Sequence, residues 1–163
     1  MLPQSDRSRR IAGGTALAIA LAVPAEGLRQ WAYYDPPGIL TVCMGHTGQD
    51  VQKGVKYSLA QCDEWLTEDM RKAVEMVERC APGLPEPVLG AFSDAVFNLG
   101  PKIACNPVAS HAARYLAMGK IEAACNELPK WNRATVAGVS VPLPGLTIRR
   151  AKEQKLCLEG ITQ

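Results

Sequence analysis

A chain of 163 residues, 47% of them hydrophobic, with a formal net charge of +2, has the length of one domain. Arg7, Arg9 and Arg10 against Asp6 carry the whole surplus, since removing them from 18 basic and 16 acidic residues leaves 15 of each. A neutral body argues against nucleic acid as the main partner, because phosphate binding needs an excess of Lys and Arg.

The three arginines precede "IAGGTALAIALAVPA", Ile11 to Ala25, a run without a charge. A basic end followed by a short apolar stretch is the layout of an export signal, and the positive-inside rule would hold the arginines in the cytoplasm. Fifteen residues as a helix span about 22 Å, whereas a hydrocarbon core is roughly 30 Å thick. The hold on a membrane would therefore be weak. A cleaved signal peptide, an uncleaved weak anchor and a plain buried helix all remain open at this point.

Glu26 to Tyr34 is expected as a short helix, ended by the prolines of "DPPG". Gly38 to Tyr57 holds short β-prone pieces separated by "GHTGQ", which reads as small antiparallel strands. Ser58 suits an N-cap, and Leu59, Cys62, Leu66, Met70, Val74 and Val77 recur at helical steps up to Cys80. "APGLPEP" breaks the chain, and Val88 to Leu99 reads as a helix buried on most sides until Gly100 and Pro101 stop it. Shorter helices are expected at Val108–Met118 and Lys120–Leu128. "GVSVPLPG" is expected to be a loop, and a last helix runs from about Leu146 to Leu158. The fold class is α+β, mostly α. A small β-hairpin lobe and a helical lobe flank a cleft, with the Ser58–Cys80 helix joining them and a short apolar helix in front. The expected division is residues 1–25 as basic end and apolar segment, and residues 26–163 as the folded domain.

Cys43, Cys62, Cys80, Cys105, Cys125 and Cys157 fit an oxidising compartment. Six cysteines allow about 15 connectivities, and the sequence does not choose among them. A working pairing is Cys43–Cys62 between hairpin and following helix, Cys80–Cys105 around the central helix, and Cys125–Cys157 between two late helices. Free buried cysteines are the alternative. No CxxC pair exists and only His46 and His111 are available, so no metal and no cofactor is expected.

Glu26, Asp35 and Thr41 stand as E-x8-D-x5-T. Two carboxylates across a cleft are what glycoside hydrolysis requires. One donates a proton to the leaving oxygen, and the other stays ionised. Glu26, beside apolar residues, suits the acid, and Asp35, in a polar turn, suits the ionised partner. Spacing alone does not separate this from a helix-terminal acid and a turn residue.

The full string "EGLRQWAYYDPPGILTVCMGHTG" resembles the start of the phage-type, T4-like lysozymes. The shared positions are Glu26-Gly27-Leu28-Arg29, Tyr34, Asp35, Gly38, Thr41 and Gly45-His46. "AFSDAVFNLG" and "GLTIRRAKEQKLC" are similar to that family's cleft-lining and C-terminal helices. The stretch "TVCMGHTGQD" is closer to the signal-arrest-release endolysins of lambdoid phages, whose weak, uncleaved anchor later leaves the membrane; Ile11–Ala25 looks like such a segment. Cys43 stands where most of the wider family has glycine, although the lambdoid group also has cysteine.

The resemblance implies a two-lobed lysozyme-like fold and a muramidase that cuts peptidoglycan for host lysis. Glu26 would be the acid, Asp35 would orient or activate water, and Thr41 would assist, with inversion at the anomeric carbon. Asn98 would hydrogen-bond the sugar, and His46 would be structural. Arg150 would pair with Glu26, or Arg149 if the alignment slips by one. Implied partners are peptidoglycan and, before release, the inner membrane through Ile11–Ala25. The protein would act as a monomer in the periplasm. A wall-binding protein without catalysis and a lytic transglycosylase are the competing readings.

Overall fold

The computed structural model describes residues 4–35 and 38–162. Pro36 and Pro37 of the expected "DPPG" stop lie outside the described residues. Helix α1 spans Gln4–Ala25, so the basic run belongs to the same helix as the uncharged stretch. Gly14, Ala18 and Ala22, four residues apart, are its buried face. They lie on helix α3, Glu86–Leu99. The approach is close: a Cβ on Gly90 would stand 2.8 Å from the Leu17 Cβ and 3.1 Å from the Gly14 carbonyl oxygen. Among the described residues no helix is long and apolar enough to cross a membrane.

The helix expected at Glu26–Tyr34 is instead strand β1, Arg29–Tyr34. α1 continues up to this point, the Glu26 N–H still bonding the Ala22 carbonyl at 2.8 Å. Gly27 then releases the chain, and the aromatic-rich "RQWAYY" finds a partner in β2, Leu40–Cys43. β-Propensity and cross-strand pairing here override the helical spacing of Leu28, Trp31 and Ala32. β2 pairs in turn with the short β3, His46–Thr47, as the hairpin reading of this region anticipated.

Cys43 has φ +59. Only glycine enters that region without steric cost. Its bond to Cys62 ties β2 to helix α2, Leu59–Cys80. Ser58 caps α2 by accepting from the Gln61 N–H at 3.1 Å. Cys80–Cys105 and Cys125–Cys157 complete the set, matching the working pairing.

α3 is the centre of the helical lobe. Pro87 through Val96 are all buried, and α1, α2 and α7 (Pro144–Glu159) surround it. The small helices α4 (Lys102–Cys105), α5 (His111–Ala117) and α6 (Ile121–Glu127) close one end. The second half is not all helical as expected. The expected loop is partly the hairpin β4–β5, Arg133–Val136 with Val139–Pro142. Its two-residue turn has φ +49 at Ala137 and +79 at Gly138. That is the left-handed turn hairpins favour, but Ala is an unusual first residue for it, so the signal was faint.

Candidate active site

Glu26 sits where α1 ends, and three elements hold it. Its Oε1 accepts from Nη1 of Arg149 on α7. Its Oε2 faces the β2–β3 turn, where a Cβ on Gly45 would lie 3.8 Å away. The Glu26 side chain is 22% exposed, with one oxygen anchored by Arg149. Gly45 also lines a groove of about 270 Å³ with Thr47, Lys72, Met76 and Phe97. This groove runs between the hairpin lobe and helices α2 and α3.

Asp35 and Thr41 meet each other. Asp35 Oδ1 accepts the Ile39 N–H at 2.7 Å. The buried Thr41 hydroxyl lies 3.0 Å from the Ile39 carbonyl and 3.4 Å from Asp35 Oδ2. Thr41 pairs across the strands with Thr47, which lines the groove. Asp35 and Thr41 thus share the β1–β2 hairpin, while Glu26 faces the next turn, between β2 and β3.

Arg150 is not the partner of Glu26. The structure gives that contact to Arg149, and Arg150 points away to bind Glu153. One residue on a helix turns a side chain by about 100°, enough to exchange the two roles. Arg149 also grips Asp94, with Nε at 2.9 Å from Oδ2 and Nη2 at 2.6 Å from Oδ1. Burial opposes its charge, but Asp94 and then Glu26 outweigh burial and raise its pKa. Asp94 was missed in the sequence, although a lone acid inside a helix apolar on all sides must have a buried partner.

Glu153 is fully buried behind this pair. Burial, and then a hydrogen bond with Asp94, push its carboxyl well above the usual range. Such a group favours folding below its ordinary value of about 4.3, and that contribution is lost as pH rises through the folded value. Glutamine keeps the protonated shape. Glu153→Gln is therefore expected to match the wild type near pH 4 and exceed it in melting temperature at about pH 7. Melting curves at both pH values check this, and equal curves at neutral pH would contradict it.

His46 is buried beside Gly45 and turned onto α2. Its Nδ1 meets Asp69 Oδ2 at 2.6 Å, its Nε2 lies 3.2 Å from Asp50, and its ring stacks on Trp65 at 4.2 Å. Asn98 ends α3, with a buried Oδ1 that has no protein partner. Among the described residues no group of three or more His, Cys, Asp or Glu is placed to hold a metal ion.

A helical body, a small β-lobe and an acid fixed beside the groove between them are the layout of a lysozyme-type glycoside hydrolase. Residues 24–153 match the phage lysozyme family, and the chain belongs to it. It is 34% identical over 157 residues to the SAR-endolysin of Enterobacteria phage P21, covering 91% of each chain. Among solved structures, the active form of the phage P1 endolysin Lyz superposes with a TM-score of 0.70 at 30% identity, over 89% of this chain and 84% of that one. The muramidase domain of SpmX from Asticaccaulis excentricus gives a TM-score of 0.75 at 27% identity, over 89% and 94%.

Proposed function

We propose that the chain is an endolysin that hydrolyses the β-1,4 bond between N-acetylmuramic acid and N-acetylglucosamine in peptidoglycan. The observation that carries this reading is Glu26: one carboxylate oxygen held by Arg149, the other turned toward the groove at Gly45. Glu26 protonates the leaving glycosidic oxygen. Asp35 stays ionised, steadied by the Ile39 N–H, and orients or activates the attacking water with help from Thr41. Water attack on the far face inverts the anomeric carbon. Asn98 offers its free Oδ1 to a sugar N–H or hydroxyl, and His46 braces the β-lobe against α2.

Residues 1–25 form the anchor segment and residues 26–163 the catalytic domain. Ile11–Ala25 tethers the protein to the inner membrane after export, and release lets α1 dock on α3 in the periplasm. Relatives named SAR-endolysins support this reading, as does the small-residue face of α1. The released enzyme works as a monomer.

The test is muropeptide release from purified peptidoglycan by full-length protein beside Glu26→Gln, with products read by mass. Reducing-end muropeptides from the wild type alone are expected. Anhydro products would mean a lytic transglycosylase, and no release from either protein would favour wall binding without catalysis.

A further inference from the structure

The acid is held by an arginine, and that arginine is itself held. Arg149 is 5% exposed on α7, and of its three guanidinium nitrogens two are taken by the fully buried carboxylate of Asp94. Only Nη1 remains to meet Glu26. A guanidinium is a flat, rigid fork, so fixing one edge fixes the direction of the remaining N–H bonds. We propose that Asp94 is a positioning residue for the hydrolysis, acting through Arg149 to fix the place and rotamer of Glu26. This rests on the assignment of Glu26 as the general acid.

The geometry gives Asp94 a task that neutral side chains perform poorly. Asparagine fits the same space but presents an amide N–H where Asp94 presents a second acceptor. One Arg149 N–H would then face another donor, and the fork would turn to escape it. Glu26 would follow, because its only charged partner is that fork among the described residues. Chemistry that depends on a near-attack placement loses rate steeply with small displacements. Asp94 shares α3 with the groove residues Val96 and Phe97, but its own side chain is fully buried and does not line the groove, so the expected effect falls on kcat more than on KM.

The test is a kinetic cycle on soluble peptidoglycan fragments, with wild type, Asp94→Asn, Arg149→Ala and the double variant, and Glu26→Gln as control. Asp94→Asn is expected to lower kcat about tenfold or more, with KM changed less than about twofold. In the Arg149→Ala background the same change is expected to cost less than about twofold, because its route to Glu26 is already cut. Losses that multiply in the double variant would overturn the proposal, as would a rise in KM with kcat unchanged. Should Asp94→Asn not fold, Asp94→Ser runs the same cycle, its hydroxyl and the space beside it admitting water to the buried cation. An active Glu26→Gln would instead sink the acid assignment itself, whereas an inactive one with multiplying losses would sink only the role of Asp94.

Discussion

Gly90→Leu is expected to lower kcat/KM on peptidoglycan by roughly 100-fold while leaving most of the helical body folded. The reason lies at the α1–α3 crossing. Even a single Cβ at Gly90 would stand 2.8 Å from the Leu17 Cβ, closer than carbon atoms can approach. The backbone oxygen of Gly14 blocks the other side at 3.1 Å. A leucine cannot be absorbed by a rotamer change, so α1 must lift from α3. Overpacking of this kind costs about 1–3 kcal/mol. The larger consequence is positional. Glu26 follows directly on the last residue of α1, and its amide still bonds into that helix. A shift of about 1 Å at the crossing therefore reaches the acid. α2 and α7 pack on other faces of α3 and keep their contacts with it. Kinetics together with limited proteolysis around Ala25 would measure both effects. Near-normal kcat/KM in a variant whose α1 is protease-sensitive would show that docking of α1 does not place Glu26.

Glu78→Ala is expected to cost about 3–5 kcal/mol near neutral pH. Glu78 is the buried anchor for the N-terminal arginines. Arg10 donates to both its oxygens, at 2.8 Å from Nη1 to Oε2 and more closely from Nη2 to Oε1. Arg10 also bonds the Leu84 carbonyl at 3.1 Å, and Arg7 adds a contact at 3.5 Å. The Glu78 side chain is 4% exposed and that of Arg10 is 11%. Removing the carboxylate leaves a guanidinium in a poorly solvated place with the Leu84 carbonyl as its remaining hydrogen-bond acceptor and the charge of Glu86 nearby. The Arg10 hydrogen bond holds the Glu78 carboxyl below its usual range, against the opposing effect of burial. A depressed acid contributes stability above its unfolded value, and that stability is lost as pH falls through the folded value. The gap between wild type and variant should therefore narrow as the medium is acidified below the ordinary carboxylate range. Denaturant titrations at neutral and acid pH check both size and sign. A gap that stayed constant through acidification would mean that the ion pair contributes nothing beyond packing.

The same arginines show where sequence reasoning reached and where it stopped. As a charged flank before an apolar run they read as an export signal, and nothing local hinted at a partner 68 residues away. The helices with clear apolar spacing, α2 and α3, stood out because a face buried along its whole length repeats at helical steps. The β1 segment did not, since six residues that alternate weakly also fit a short helix. Only pairing with Leu40–Cys43 decides the matter. The contact of Asp35 with Thr41 was within reach of the sequence, because a hairpin brings together residues six apart. The arginine on Glu26 was legible as a residue type but not as a position, because neighbours on a helix differ in direction. Asp94 was the most recoverable miss, being the single charge within "AFSDAVFNLG".

Glu26 and Arg149 stand 123 residues apart, and Asp94 lies between them in sequence. A ribosome therefore makes this carboxylate long before its holder. Every residue that lines the groove precedes Pro144, whereas Arg149 lies beyond it on α7. Glu26 and its guanidinium partner therefore meet only when α7 packs on α3, so this carboxylate is fixed by the last stage of tertiary assembly and not by its own helix.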